Sequence, residues 1–275
     1  MKKLIFILTL FLLPTMVISQ TAEEFYEMGN NALFNQDYDK AIEYLRNSFA
    51  LNPSDSRVTL AIGTAFIKKK LTDSSLYYID LTIKLDPNNA NAFASRGAIY
   101  LARKQFDLSY IDLKKALSLD STLIIAYGTL ATYYVFLNKP DSALLMLNRA
   151  VELDPNSPDA YYNRGAFYFT LDEFQKALED INKVIELAPS SAKAYYTRGT
   201  IKRYLGKFDE ALKDFNYAIQ LDPKDGEAFV RRAICLLKMG RIKEALFDFE
   251  YGYILDPDLK EQTKEYYEEA LKKQN

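Results

Sequence analysis

Residues 158–191 read PDAYYNRGAFYFTLDEFQKALEDINKVIELAPSS, and residues 192–225 read AKAYYTRGTIKRYLGKFDEALKDFNYAIQLDPKD. The two stretches align without a gap, with an aromatic residue fourth, glycine eighth, alanine twentieth and proline thirty-second. Each holds two amphipathic segments of about 13 residues. Their apolar residues recur with the spacing expected of helices that have one buried face. Proline cannot donate the backbone bond that a continuing helix requires, so each stretch predicts a helix pair that ends near the proline.

The same spacing runs through most of the chain. Seven units of 34 residues follow one another, which we number repeats one to seven: 22–55, 56–89, 90–123, 124–157, 158–191, 192–225 and 226–259. Seven matching units at one spacing indicate an internal repeat. One unit cannot bury its own apolar face, so neighbouring units are expected to stack.

Five positions of the repeat are nearly constant in character. Position four is aromatic in Phe25, Phe93, Tyr127, Tyr161, Tyr195 and Phe229, and position eight is small in Gly29, Gly63, Gly97, Ala131, Gly165, Gly199 and Ala233. Position twenty is small, position twenty-four is large and apolar, and a proline follows near the end. This pattern resembles the tetratricopeptide repeat. The resemblance implies an all-α, right-handed superhelical solenoid of seven helix-turn-helix repeats whose first helices line a concave groove.

Two repeats and the tail depart from the pattern. Repeat three has Ser121 in place of the proline, and repeat four has Pro140 before its second helix. We interpret both as surface variation, with a kink in the stack as the alternative. Residues 260–275 are highly charged with one apolar side, which predicts a C-terminal capping helix, or alternatively a helix that docks a partner.

The N-terminus has the pattern of a secretory signal. Lys2 and Lys3 precede the apolar run Leu4–Ile18. As a helix that run would span roughly 22 Å, less than the roughly 30 Å of a bilayer's hydrocarbon core. We therefore predict a signal peptide over residues 1–19, a mature chain that begins at Gln20, no stable membrane anchor after cleavage, and a periplasmic or secreted location.

The composition argues against several classes of function. There is no histidine, which removes the commonest general base and metal ligand, and the single Cys235 lies in an apolar run that should bury it. A formal net charge of −2 provides no basic surface for nucleic acid. We predict no catalytic residues, no metal, no cofactor and no nucleic-acid partner.

A pair of opposite charges recurs in four repeats. Arg at position seven is followed 16 residues later by Asp at position twenty-three, in Arg96 and Asp112, Arg164 and Asp180, Arg198 and Asp214, and Arg232 and Asp248. A guanidinium suits a half-buried carboxylate. Because an active site occurs once and these pairs recur, we interpret them as structural ion pairs that join the two helices of a repeat.

The resemblance also implies which side chains face the groove. They are Tyr26, Asn30, Phe34, Phe136, Tyr162, Asn163, Phe169, Lys193, Tyr196, Arg203, Tyr204 and Arg231. Tyr and Arg are enriched among residues that dominate binding energy, and Tyr196 is expected to add little to stability. We predict an exported scaffold or adaptor that binds a protein or peptide segment. The alternative is a receptor for a small molecule or glycan, and an enzyme is the least favoured class.

Overall fold

The structure is a computed structural model that describes residues 20–274. The predicted signal peptide, residues 1–19, lies outside the described residues. Every regular element within residues 20–274 is an α-helix, which confirms the all-α prediction. The chain divides into two compact units, Met1–Ile99 and Tyr100–Asn275, and the boundary falls within one helix, Ala90–Ala102.

The first unit contains the helix pairs of repeats one and two and the beginning of repeat three. Its helices are α1 (Ala22–Phe34), α2 (Tyr38–Leu51), α3 (Ser56–Lys68), α4 (Thr72–Leu85) and α5 (Ala90–Ala102), the last of which continues past the boundary. Within this unit α1 packs on α2, α2 on α3 and α3 on α4, so that consecutive helices are neighbours in space.

The second unit continues in the same alternation of 13-residue and 14-residue helices through repeat seven, and two shorter helices follow. Its helices are α6 (Phe106–Leu119), α7 (Ile124–Phe136), α8 (Pro140–Leu153), α9 (Pro158–Thr170), α10 (Phe174–Leu187), α11 (Ala192–Tyr204), α12 (Phe208–Leu221), α13 (Gly226–Lys238), α14 (Ile242–Leu255), α15 (Leu259–Gln262) and α16 (Lys264–Gln274). The first helix of each pair starts at the first residue of a predicted repeat. Pro140 occupies the first turn of α8, where its missing amide proton is not needed.

Most of the first helices begin with a side-chain cap. Thr21, Asp55, Asn89, Ser157, Ser191 and Asp225 each accept a hydrogen bond from a backbone N–H in the first turn. Such caps satisfy amide protons that have no partner inside the helix. Leu123 provides no side-chain cap for α7, so the first helix of repeat four lacks this contribution.

The turn between the two helices of each repeat has one recurring backbone feature. Position fifteen has positive φ in all seven repeats, at Gln36, Lys70, Lys104, Asn138, Asp172, Gly206 and Gly240. The following amide donates back into the first helix, as in Leu71 to Phe66 at 2.9 Å, which is the Schellman arrangement that ends a helix. Only repeats six and seven place glycine where the left-handed region is unstrained.

The two helices of a repeat touch through a small residue and a large one. A Cβ added to Gly29 would lie 2.5 Å from Leu45, and one added to Gly199 would lie 3.0 Å from Phe215. Leu45 and Phe215 are fully buried, as are the alanines at position twenty. Position eight is therefore small because the large side chain at position twenty-four of the same repeat packs directly against it.

The C-terminal tail differs from the single capping helix predicted over residues 260–275. It forms a short helix, α15, and then α16, with Thr263 between them. The Thr263 hydroxyl donates to the Leu259 carbonyl at 2.7 Å and lies 2.9 Å from the Tyr253 hydroxyl. Ala270 of α16 is fully buried, and Tyr267 packs edge-on against Phe249 of α14. The tail thus covers one side of the last repeat.

No helix within residues 20–274 combines the length and the apolarity needed to cross a bilayer.

Candidate functional site

The first helices of repeats five, six and seven bring eight of the predicted groove residues onto one connected surface, which we call the first-helix face. Its members come from α9, α11 and α13: Tyr162, Asn163, Phe169, Lys193, Tyr196, Arg203, Tyr204 and Arg231. All are half-buried or exposed. Contacts between neighbouring first helices join them laterally.

Tyr162 links α9 to α11. Its hydroxyl lies 3.2 Å from the Thr197 hydroxyl, and the Lys193 ammonium lies 4.0 Å from the centre of its ring. The ammonium is attracted by the negative face of the ring. Lys193 remains exposed, so its charge is held in place and is still available to solvent.

Tyr196 links α11 to α13. Arg231 donates from Nε to the Tyr196 hydroxyl at 3.3 Å and from Nη2 to Glu227 at 2.9 Å. Burial raises the pKa of Tyr196 to about 12, more than the neighbouring Arg231 lowers it. Burial lowers the pKa of Arg231, but its bonds to Glu227 and Tyr196 raise it by more, so the guanidinium stays charged.

The packing of Tyr196 corrects one expectation from the sequence. Its ring contacts Phe215 with the centroids 6.0 Å apart and packs against the core of the last two repeats. Tyr196 therefore contributes to stability as well as to the surface, because a ring that fills space beside a core leaves a cavity when it is truncated.

Arg203 and Tyr204 end the first-helix face at the C-terminus of α11. Tyr204 is 54% exposed and stacks on Phe174 at 5.5 Å, with Phe169 edge-on to it at 5.1 Å. The Arg203 guanidinium lies 4.3 Å from the centre of the Tyr204 ring. Arg203 Nε is buried and has no hydrogen-bond partner within residues 20–274. A buried donor without a partner is unfavourable until an acceptor reaches it.

The remaining predicted groove residues lie elsewhere. In the first unit, Tyr26 of α1 lies under the Arg57 guanidinium at 4.8 Å, and Asn30 is half-buried on the same helix. Phe34, at the end of α1, is 89% exposed beside a pocket of about 430 Å³. In the second unit, Phe136 of α7 contacts Phe106 at 5.8 Å.

Three of the four predicted ion pairs are present with bidentate geometry. Arg198 donates from Nε to Asp214 Oδ2 at 3.0 Å and from Nη2 to Oδ1 at 2.6 Å. Arg164 binds Asp180 and Arg232 binds Asp248 in the same way, at 2.7–2.8 Å. The three aspartates are almost completely buried. Two parallel charge-assisted bonds fix both the distance and the orientation of the helix pair.

Each of these ion pairs has a third member that was not predicted from the sequence. Arg164, Arg198 and Arg232 each donate from Nη1 to an asparagine of the preceding repeat, at 3.1, 3.0 and 2.8 Å: Asn148, Asn182 and Asn216. The signal was asparagine at position twenty-five of repeats four, five and six. Each arginine therefore ties its own repeat to the one before it, and these three residues form what we call an Arg–Asp–Asn network.

Two of these arginines have variant surroundings. Arg96 donates to Asp80 at 2.9 Å, so an aspartate takes the place of the asparagine, while its pairing with Asp112 stays a prediction. In repeat six, Lys202 also binds Asp214, at 2.8 Å, so that carboxylate has two cationic partners.

Comparison with known proteins points to one family. One model of the tetratricopeptide repeat matches residues 158–191 and 192–225, and a second model of this description matches residues 26–90. A model described as a TPR repeat matches residues 133–172. No curated protein sequence matches the chain significantly.

Solved structures agree on the fold. A chain of the APC/C hetero-tetramer Cut9–Hcn1 has a TM-score of 0.72 and 16% identity over 91% of this chain, which spans only 46% of that chain. A tetratricopeptide repeat protein from Parabacteroides merdae has a TM-score of 0.62 and 17% identity over 92% of this chain and 100% of its own. MamA has a TM-score of 0.52 and 25% identity over 60% of this chain and 96% of its own.

The matches agree with the 34-residue spacing, the consecutive helix pairs and the small residue at position eight. Proteins of this kind are generally scaffolds without catalytic activity, and the fold is consistent with protein–protein interaction. The chain is a tetratricopeptide repeat protein.

Proposed function

We propose that the protein is an exported scaffold without enzymatic activity, and that it binds a segment of another protein on the first-helix face of repeats five to seven. The observation that carries the proposal is the end of α11, where the Tyr204 ring is 54% exposed and the Arg203 guanidinium lies 4.3 Å from its centre. A cation held against an exposed ring offers a bound segment contact area and a partner for a carboxylate.

The distribution of the rings favours an extended segment over a small ligand. Tyr162 lies on α9, and Tyr196 and Tyr204 lie about two turns apart on α11. Rigid rings at intervals provide contact area at low entropic cost. Lys193 and Arg203 add positive charge, which favours acidic residues in the partner and should make binding weaker as salt increases.

Photo-crosslinking in the native cells tests this proposal. A photoreactive phenylalanine analogue is placed at Tyr204, and the matched control carries it at Lys213, an exposed residue of α12 outside the first-helix face. We expect the Tyr204 position to give a discrete protein adduct that mass spectrometry can identify, and the Lys213 position to give none. Adducts of equal yield at both positions, or at neither, would contradict the proposal.

Export is part of the proposal and has its own test. It rests on the basic start and the apolar run Leu4–Ile18, which are typical of a cleaved signal. N-terminal sequencing of the protein recovered from the medium or by osmotic shock should begin at Gln20. Protein that keeps residues 1–19 and sediments with membranes after a carbonate wash would overturn the export prediction and leave the binding proposal untouched.

A further inference from the structure

The second helix of the last repeat, α14, has an apolar outer face that nothing in the described chain covers. Phe247 is 65% exposed, Tyr251 39% and Ile254 75%. The outer faces of Phe247 and Tyr251 are continuous, because the two rings are nearly parallel with centroids 6.3 Å apart. At about 100° per residue, these three side chains share one side of the helix with Lys243 and Glu250.

The same positions of the two preceding repeats are mostly polar. Repeat five has Glu179, Lys183 and Glu186 there, and repeat six has Lys213 and Gln220 and shares only the tyrosine, Tyr217. The repeat architecture is the same in all three, so folding alone does not require the apolar residues of repeat seven. Contiguous apolar surface of this kind marks sites of association.

A pocket of about 410 Å³ opens beside the N-terminal half of α14. Leu212, Leu236 and Phe247 provide its apolar lining, and Arg241 and Lys243 lie among its polar residues. In repeat six the residue that corresponds to Leu236 is Lys202, which reaches Asp214 at 2.8 Å. Leucine is shorter and cannot make that bond, so the space beside Asp248 remains open.

The outer face of α14 is therefore complementary to itself. The pocket and Lys243 lie at its N-terminal end, and the protruding Tyr251 and Ile254 and the acidic Glu250 lie at its C-terminal end. Lys243 and Glu250 are seven residues apart, which is two helical turns on the same side. In an antiparallel pair of such helices, each end of one meets the opposite end of the other.

We propose that two copies of this protein associate through α14, packed antiparallel about a two-fold axis that passes between Leu246 and Phe247. The Phe247 rings meet near the axis, Lys243 of each copy approaches Glu250 of the other, and Tyr251 of each copy lies over the other's pocket. Such an interface is isologous and closes on itself, so it yields a dimer and not a filament. The first-helix face, on the first helices, is not used.

Sedimentation equilibrium over a wide concentration range tests the proposal, on protein purified from cells that express the full 275-residue sequence. We expect a reversible dimer whose dissociation constant increases at least about tenfold in Phe247→Glu, because a charge would then be buried at the axis. Leu145→Glu is the matched control, since Leu145 is 63% exposed at the same repeat position of α8. It should leave the dimer unchanged.

A charge exchange tests the antiparallel geometry. Lys243→Glu and Glu250→Lys each place like charges together twice and should weaken the dimer about tenfold. The double variant restores opposite charges at both contacts and should return the dissociation constant to within about threefold of the wild-type value. A protein that is monomeric at all concentrations, or a dimer that Phe247→Glu does not weaken, would overturn the proposal. A double variant whose dissociation constant is as high as those of the single variants would overturn the antiparallel geometry.

Discussion

Repeats one and two join their helices with apolar and aromatic contacts, whereas repeats five to seven join theirs with buried ion pairs. At positions seven and twenty-three, repeat two has Ile62 and Tyr78, and repeat six has Arg198 and Asp214. Ile62 is fully buried, and Tyr78 stacks on Phe66 at 5.7 Å and meets Phe49 edge-on at 6.3 Å. The same pair of positions thus closes the helix pair by two different chemistries.

The difference shows what the ion pair adds. Apolar packing is tolerant of small shifts, because it depends on area and not on direction. The Arg–Asp–Asn network fixes direction as well, since each guanidinium must meet a carboxylate and an amide of two different repeats. The loss of one partner should be strongly destabilising, because it leaves a buried charge without a counter-ion. Substitutions at these positions therefore compare the cost of an unpaired buried charge with that of an apolar replacement.

The largest effect is expected at Arg232. Arg232→Ala leaves Asp248 buried without its guanidinium and should lower the free energy of unfolding by about 3 kcal/mol. The double variant Arg232→Met with Asp248→Leu imitates the apolar chemistry of repeat two and should lower it by less than the single variant. Urea denaturation measures both. A double variant that loses as much as Arg232→Ala or more would mean that the buried charge of Asp248 is not the source of the loss.

A smaller loss is expected at the corresponding arginine of repeat six. After Arg198→Ala, Lys202 still lies 2.8 Å from Asp214, so the carboxylate keeps a cationic partner. Arg198→Ala should therefore cost at least about 1 kcal/mol less than Arg232→Ala in the same denaturation experiment. Adding Lys202→Met to Arg198→Ala should remove the difference, and equal losses in the two single variants would contradict the account.

Alkaline pH should weaken the last two repeats. Burial raises the pKa of the Cys235 thiol to about 12, from an ordinary value near 9. The unfolded state therefore releases this proton at a lower pH than the folded state does. The contribution of the thiol to the free energy of unfolding is fully present below pH 9 and is lost as the pH rises toward 12. The slope is at most about 1.4 kcal/mol per pH unit for this group. Denaturation of Cys235→Ala between pH 9 and 10 should show a flatter dependence on pH than the wild type. An identical slope would mean that the thiol is not buried.

Introducing glycine at position fifteen and removing it should have small effects of opposite sign. Lys70 has a φ of 59°, and Gly206 has a φ of 72° with no heavy atom within 4 Å of an added Cβ. Lys70→Gly should raise the free energy of unfolding by about 1 kcal/mol, and Gly206→Ala should lower it by about as much. The midpoint of thermal unfolding should shift in the same directions. Two shifts of the same sign would show that backbone strain does not decide this position.

The sequence predicts most of the fold because every repeat obeys the same packing rule. Gly29 and Leu45 touch for the same reason as Gly199 and Phe215, so one aligned pattern fixes seven helix pairs. The ion pair within a repeat, such as Arg198 with Asp214, also recurs at one spacing, so it could be predicted from the sequence. Asn182 was missed because its partner lies in the next repeat, and a search within single repeats cannot find it.

The surface was harder to predict. Resemblance to the family indicates that Tyr196 faces outward, but the bond from Arg231 and the contact with Phe215 turn the ring partly inward. The pocket beside α14 depends on one substitution, Leu236 where repeat six has Lys202, and on how far each side chain reaches. Periodicity specifies which face a residue lies on, and not what its side chain contacts.

The most direct test of the proposed function is the affinity of the segment captured by photo-crosslinking, measured by isothermal titration calorimetry. Arg203→Ala and Tyr204→Ala should each weaken binding about tenfold, or roughly 1.4 kcal/mol, while Lys213→Ala binds as the wild type does and all three remain folded. The affinity of the wild type should also decrease as salt increases. Equal affinities for the wild type and the three variants would show that the segment binds elsewhere and would contradict the assignment of the first-helix face.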